Sequence, residues 1–498
     1  MRSSQAAVSP RARICTFLAL AIVASAAAPA GAITPALGPA SPAVGVFRNS
    51  VDPFLGVRAD RAVAPAALYA AFAKTHKMVP AFSRQTGLAC SSCHYQFLQL
   101  TPFGRLFKLN GYTLTGIPTV GQPGEQPGHE TLKLLSVPPV AAMVVGSVTH
   151  IRSTVPETQN GTVAFPQEFS VFLAGQISPH VGAFTQFTYA AADGSFGMDN
   201  LDFRFASHGT VGDRDLIYGV TLHNNPTVQD VWNTVPAWGY PFMGPEVGPS
   251  PIAGTLIDDA LGQQVLGLGA YSLYDHLLYT EFTAYRSALQ GAAMPLDKEA
   301  SNVTSGVIPY WRVALQHETP ATSLMLGTYG FVAHVFPSGV TGPTNNYTDV
   351  AVDAQVEQRA GTSTWIGRGS YIHEKQELNA AFAEGEATDP HLTLWTARAS
   401  VAYLPNLKYS FTLGYFQTSG TTDPVLYAPE PLAGSSSGSP NTSGLIGEFN
   451  YNAWQNTRLG LQYTAYNHFN GSSSAYDVLR GRNASDNNTL YLYTWLAF

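Results

Sequence analysis

From about residue 138 to residue 498 the chain repeats one pattern, runs in which apolar and polar side chains alternate, joined by connections that are in turn brief and long. In Phe169-Ser170-Val171-Phe172-Leu173-Ala174-Gly175-Gln176-Ile177-Ser178 the odd positions are largely apolar and the even ones largely small or polar. Leu201, Phe203 and Phe205 alternate with Asp202 and Arg204, and Val350, Val352, Ala354 and Val356 with Asp349, Ala351, Asp353, Gln355 and Glu357. A period of two marks a strand with two unlike faces. A soluble sandwich with one solvated face would alternate too, so the connections carry the distinction. Seven brief joins, at 179–180, 207–212, 274–275, 318–321, 360–362, 404–406 and 454–455, separate from eight long polar stretches around 153–163, 191–198, 224–261, 288–307, 336–347, 376–389, 419–441 and 469–486. Tight turns at one end and long loops at the other are the habit of an even-stranded membrane barrel. The expected fold is therefore all-β, a transmembrane outer-membrane β-barrel of about 16 antiparallel strands over residues 138–498.

Composition agrees. With 46 Gly, 34 Pro, 24 Tyr and 26 Phe against 12% charged residues, the chain suits many strands joined by turns. Beyond the N-terminal segment no stretch offers about 18 consecutive apolar residues, so helical spans are not expected. A closed barrel is the other way to cross a bilayer. The final run, Leu490-Tyr491-Leu492-Tyr493-Thr494-Trp495-Leu496-Ala497-Phe498, is apolar and aromatic and ends in Phe, which resembles the recognition signal of bacterial outer-membrane barrels.

At the start, Arg2, Arg11 and Arg13 lead into an apolar run over 14–28 and then Ala30-Gly31-Ala32, so residues 1–32 are expected to be an export signal rather than an anchor. Removing those three arginines takes the formal charge from −7 to about −10, which attracts small cations and argues against nucleic acid as a partner. Residues 33–65 read as an Ala/Pro-rich linker, and Pro65 is a plausible first turn of a helix through Ala66, Leu68, Tyr69 and Phe72 to Lys77. A second linker is expected over 117–137.

Between the linkers stands Cys90-Ser91-Ser92-Cys93-His94. Two thiols about one helical turn apart can bond both vinyl groups on one porphyrin edge, and the adjacent imidazole can ligate the iron, so the motif predicts one covalent c-type haem. Cys15 leaves with the signal, and Cys90 and Cys93 are then the remaining cysteines. A structural zinc site would want a second pair of ligands, a thioredoxin-like pair an alternating strand–helix setting, and a simple disulfide would leave His94 unexplained.

The surrounding residues carry a wider likeness. Pro80-Ala81-Phe82-Ser83-Arg84-Gln85-Thr86-Gly87-Leu88-Ala89-Cys90, then Cys93-His94, then Leu100-Thr101-Pro102-Phe103-Gly104-Arg105-Leu106-Phe107-Lys108-Leu109-Asn110-Gly111-Tyr112 resemble the fused outer-membrane monohaem cytochrome–porin family of iron-oxidising bacteria. The match is close over the haem segment and architectural over the barrel. Leu98 departs from it, standing where that family commonly carries proline.

The resemblance implies a small, mostly helical cytochrome segment over 66–116, expected to lodge in the barrel lumen, and an outer-membrane electron-transfer role in which extracellular Fe(II) is the donor and a periplasmic soluble cytochrome the acceptor. If that is enzymatic, it is an iron-oxidising oxidoreductase. The alternatives are a diffusion porin with a haem-bearing plug or sensor, and a conduit for a donor other than iron. Cys90 and Cys93 are the expected covalent attachments and His94 the proximal iron ligand. Met78 or His76 is expected at the sixth position, with His129, Met143 and His223 as further candidates. Arg84, Arg105 and Lys108 are candidates to meet either haem propionates or barrel carboxylates, and Phe82, Phe103, Phe107 and Tyr112 to pack on the ring. Asp202, Asp353 and Glu357 are candidate lumen carboxylates that could guide Fe(II), and the 224–261 loop could narrow a pore or shape a docking surface.

Overall fold

The alternating runs pair in order, each antiparallel to the next, and the last returns to the first. The computed structural model describes residues 80–114, 119–120, 134–135, 138–156, 158–191, 194–236, 239–258, 265–287, 303–337 and 341–498. The signal segment, the 33–65 linker, the helix expected over 65–77, His76, Met78 and His129 lie outside the described residues. Sixteen strands form one closed barrel: β1 (Val140–Ile151), β2 (Val163–Ser178), β3 (Val181–Ala190), β4 (Ser195–Val211), β5 (Arg214–His223), β6 (Val265–Tyr274), β7 (Leu278–Ser287), β8 (Ile308–Glu318), β9 (Thr322–Val335), β10 (Asn345–Ala360), β11 (Ser363–Glu377), β12 (His391–Asn406), β13 (Tyr409–Gly420), β14 (Thr442–Trp454), β15 (Thr457–His468) and β16 (Thr489–Ala497). β16 closes on β1 from Thr489 opposite Ile151 to Ala497 opposite Met143. Phe498 prolongs that ladder through backbone bonds of 2.7 and 2.9 Å with Ala142. Closure leaves no strand edge, so backbone polar groups can be paired within a medium that offers no water.

The two faces are inverted relative to a soluble protein. On β10, Val350, Val352 and Val356 are 48%, 52% and 44% exposed on the outside, while Asp349, Asp353 and Glu357 are 1%, 3% and 0% exposed within. The same holds on β4, where Phe203 and Phe205 face out and Asp202 and Arg204 are fully buried. An apolar exterior around a polar, filled interior is stable only where lipid surrounds it, which makes this a transmembrane barrel of the outer-membrane type. Outward aromatics beside the short turns, including the stacked pairs Trp365–Tyr403 and Tyr409–Tyr451, form the girdle expected at a membrane interface.

Connections of two or three residues join the strands at one end, while at the other they range from four residues (191–194) to 41 (224–264). β4 extends further than its alternation suggests: residues 195–198 and 208–211 pair with β3 and β5, so the expected long connection over 191–198 shrinks to four residues and the 207–212 turn to two. Residues 209–213 are exposed. A hairpin that projects past the membrane has water on both sides, and its sequence no longer needs to alternate.

Candidate cofactor site in the barrel lumen

The N-terminal segment enters the lumen at the short-turn end. Helix α1 (Ala81–Thr86) ends at Gly87, whose φ of 69° lets its N–H turn back to Ser83 O at 3.0 Å. One helical turn, α2 (Cys90–Cys93), then places both cysteines on one side, because residues three apart on a helix are neighbours. His94 leaves that turn in an extended conformation and opens a small hairpin, His94–Gln96 against Gln99–Leu100. Its corner residue, Leu98, has φ 74°, a conformation closed to proline, whose ring holds φ near −65°.

Thr101 ties the next helix, α3 (Pro102–Leu109), to the motif. Its hydroxyl caps the helix by accepting the Gly104 N–H at 3.1 Å and donates to Ser92 O at 2.6 Å, while its own N–H reaches Cys93 O at 2.9 Å. A Cβ on Gly104 would stand 2.2 Å from Cys93 O, so α3 can approach the motif this closely only with glycine there. On the barrel side, a Cβ on Gly182 would meet Gly111 O at 2.1 Å.

The segment is fastened to the wall by polar contacts. Arg105 donates to Glu357 at 2.6 Å, Glu318 at 2.8 Å and Ser323 at 2.8 Å; Tyr95 donates to Glu357 at 3.0 Å and Tyr112 to Asp202 at 2.6 Å. Gln85 reaches Ala174 O at 2.7 Å, and Gln455, in the turn between β14 and β15, accepts the Cys90 N–H at 3.0 Å. Arg84 is held by the carbonyls of Val140 and Pro138. Of the two partners expected for Arg105, the structure supplies barrel carboxylates; for Arg84 it supplies wall carbonyls. Asp202, Asp353 and Glu357 are likewise engaged, by Arg204, by Arg312 and by Arg105. As buried members of ion pairs they hold the contents of the lumen rather than face a cation path.

Beside the motif lies a cavity of 260 Å³ whose walls include Cys90, Cys93 and His94. Phe82, Phe107 and Tyr112 of the segment and Phe172, Phe184 and Trp495 of the barrel supply a largely apolar lining; Phe103 is not part of it. The two thiols are free. Burial pushes the Cys93 thiol up to about 12, assisted by Cys90. Burial, with the nearby charges of Arg458 and Lys108, pushes His94 down to about 4, so the imidazole is neutral at ordinary pH, as a metal ligand must be. Its Nδ1 is buried without a hydrogen-bond partner among the described residues. Two free thiols and a neutral imidazole on the wall of one apolar cavity suit a covalently attached haem.

Met143 packs in an apolar cluster with Val145 and Tyr493, and His223 is bonded to Tyr285 at 2.6 Å and Thr221 at 3.0 Å; neither reaches the cavity wall. Lys108 does, and its ammonium donates to Asp230 O at 2.9 Å. The barrel contributes lining residues that the motif alone did not point to, among them Gln455, Arg458 and Trp495. A signal was present for Arg458, an inward cation at the short-turn end of a strand whose next residue, Leu459, faces lipid.

The 224–258 loop folds inward and fills the lumen from the long-loop end. Asn225 caps helix α4 (Pro226–Gln229) by accepting the Val228 N–H at 2.6 Å. Asp230 then gathers the N–H groups of Trp232, Thr234 and Val235 at 2.9, 2.7 and 3.0 Å and pairs with Arg312 at 3.5 Å. Thr227, Val228 and Asn233 line the motif's cavity from this side, whereas Leu407, Asn452 and Gln455 line it from the short-turn side. Asn233 also lines a second, more open cavity of 510 Å³ between the loop and the wall from β11 to β16.

No protein-family model and no curated protein matches the chain. Among solved structures it is similar to the outer membrane channel DcaP of Acinetobacter baumannii (10% identity, TM-score 0.43, covering 72% of this chain and 96% of that one). It is also similar to Salmonella typhi OmpF in complex with daunomycin (11% identity, TM-score 0.41, covering 72% and 97%). The anion-selective porin from Comamonas acidovorans gives 10% identity and a TM-score of 0.41, covering 72% and 98%.

Proposed function

We propose that this barrel is an outer-membrane electron-transfer protein, a fused monohaem cytochrome–porin that takes electrons from extracellular Fe(II) and delivers them to a periplasmic electron carrier. The observation that carries the reading is the position of Cys90, Cys93 and His94 on the wall of a cavity whose other walls come from the inward loop on one side and the short turns on the other. A group held there is within the membrane-spanning body yet close to both approaches. When bound, a c-type haem supplies a one-electron couple at that place. The balance is simple: Fe(II) outside becomes Fe(III), and the carrier gains the one electron released.

The chain's own residues do the rest. Cys90 and Cys93 hold the group, His94 offers a neutral nitrogen to the iron, and the aromatic lining excludes water. Met78 or His76, which lie outside the described residues, would be the second residue to hold the iron. The test is to purify the protein with haem attached and mix it anaerobically with Fe(II). Reduction of the haem band is the expected result; no reduction in a sample that dithionite does reduce removes iron as the donor.

The 510 Å³ cavity favours a second reading, a diffusion porin whose lumen the haem segment plugs. Single-channel conductance in planar bilayers separates the two, because an electron port filled at both ends passes little current and a porin does not.

A further inference from the structure

We propose that the barrel wall completes the cofactor site, with Arg458 of β15 as the binding residue for the carboxylate (propionate) groups of a c-type haem held by Cys90 and Cys93. The inference rests on the proposed haem reading and adds a residue outside the cytochrome segment.

Arg458 is 5% exposed and lines the cavity. A buried guanidinium without a counter-charge is costly, so buried arginines are normally paired with acids. In this lumen Arg105 pairs with Glu318 and Glu357, Arg204 with Asp202, and Arg312 with Asp230 and Asp353, whereas the half-buried Arg368 donates to Gln355 at 2.8 Å and lies over the Phe242 ring. Arg482, buried in the outer loops, instead donates to the carbonyls of Ser153, Thr154 and Asp486 and to Asn487. Arg458 has no ion pair among the described residues. Its Nε donates to Asn452 at 3.2 Å, it also meets the Tyr493 hydroxyl, and its guanidinium lies 5.8 Å from the Trp495 ring centre.

The cavity therefore contains a fixed cation in want of an anion. A c-type haem carries two carboxylates on the porphyrin edge away from the thioether bonds, and Lys108, the other cationic side chain on the cavity wall, is already bonded to the Asp230 carbonyl. Asn452 and Trp495 hold the guanidinium, and charge-assisted pairing is its natural use.

The experiment compares full-length wild type, Arg458→Gln and Arg458→Lys in detergent, each first shown to be folded by its heat-modifiable migration. Covalent haem content and the potential at which half the haem is reduced are then measured across pH. A cation beside the group favours its reduced state, so Arg458→Gln is expected to keep its attached haem and to lower the reduced-to-oxidised ratio at fixed potential three- to tenfold. Tenfold corresponds to 59 mV for one electron. The pH dependence of that potential should move with it, and Arg458→Lys should restore most of the wild-type behaviour. An Arg458→Gln protein with attached haem and an unchanged potential at every pH overturns the assignment. A wild-type protein without covalent haem overturns the underlying reading instead, so the two failures are distinguishable.

Discussion

The lumen holds two inserts that reach it from opposite ends and are fastened in different ways. The 80–114 segment presents side-chain cations and hydroxyls to carboxylates of the wall, as in Arg105 with Glu318 and Glu357 or Tyr112 with Asp202. The 224–258 loop presents backbone N–H groups to them, Leu256 to Glu374 and Ile257 to Asp349, and carboxylates to cations of the wall, Asp230 to Arg312 and Asp258 to Arg398, with Asp230 also gathering three N–H groups within the loop itself. One insert brings cations of its own to carboxylates of the wall and carries a cavity on its flank. The other is a connection laid along the wall to close the lumen. They touch where Lys108 meets the Asp230 carbonyl. Both inserts fill the lumen, and the Cys90–His94 motif is on the first of them.

Several changes would sharpen or break this contrast. The largest effect is expected from the double variant Cys90→Ala/Cys93→Ala, in which covalently attached haem falls to background by haem stain and haemochrome spectrum while the barrel still folds. Arg105→Ala comes next, because it strands Glu318 without its cation and leaves Glu357 with Arg359 alone at 3.3 Å. Breaking a buried pair in this way costs about 3–5 kcal/mol; limited proteolysis should then cut the 80–114 segment while the strands stay resistant. Gly104→Ala drives a Cβ onto Cys93 O and should cost up to about 3 kcal/mol in lost packing, read as a shifted haem spectrum with the barrel's melting unchanged. Asp230→Ala acts on the other insert. It removes the acceptor of three N–H groups, a loss of about 1.5–3 kcal/mol for bonds to a charged group, and should raise single-channel conductance with haem content intact. Equal effects of Arg105→Ala and Asp230→Ala on haem and conductance would mean the two inserts are one unit.

Most of the barrel was legible in the sequence because its signal is local. Alternation reports two unlike faces residue by residue, and Val350 to Glu357 sort in the structure as they alternate in the chain. The signal failed at 195–198 and 208–211, where no lipid face imposes a period. The grouping of Cys90, Cys93 and His94 on one cavity wall was legible for the same reason, because the three stand within five positions of the chain. What encloses it was not: Gln455 meets Cys90 across 365 positions, and Arg458 and Trp495 join the cavity through barrel closure, which no neighbouring residue announces. Arg105 shows the intermediate case. Its need for a partner could be read from its charge, and the choice between haem and wall carboxylates could not, because it depends on where Glu318 and Glu357 stand once β8 and β10 are in place.

Electron transfer across the barrel is read most plainly in sided vesicles. The haem-loaded protein is inserted in vesicles that enclose an oxidised soluble c-type cytochrome, and a membrane-impermeant Fe(II) complex is added outside without oxygen. The enclosed cytochrome is expected to be reduced when the wild-type chain is present and to stay oxidised with Cys90→Ala/Cys93→Ala. An enclosed cytochrome that stays oxidised beside a dithionite-reducible wild-type haem, or that is reduced equally by the double variant, would contradict this expectation.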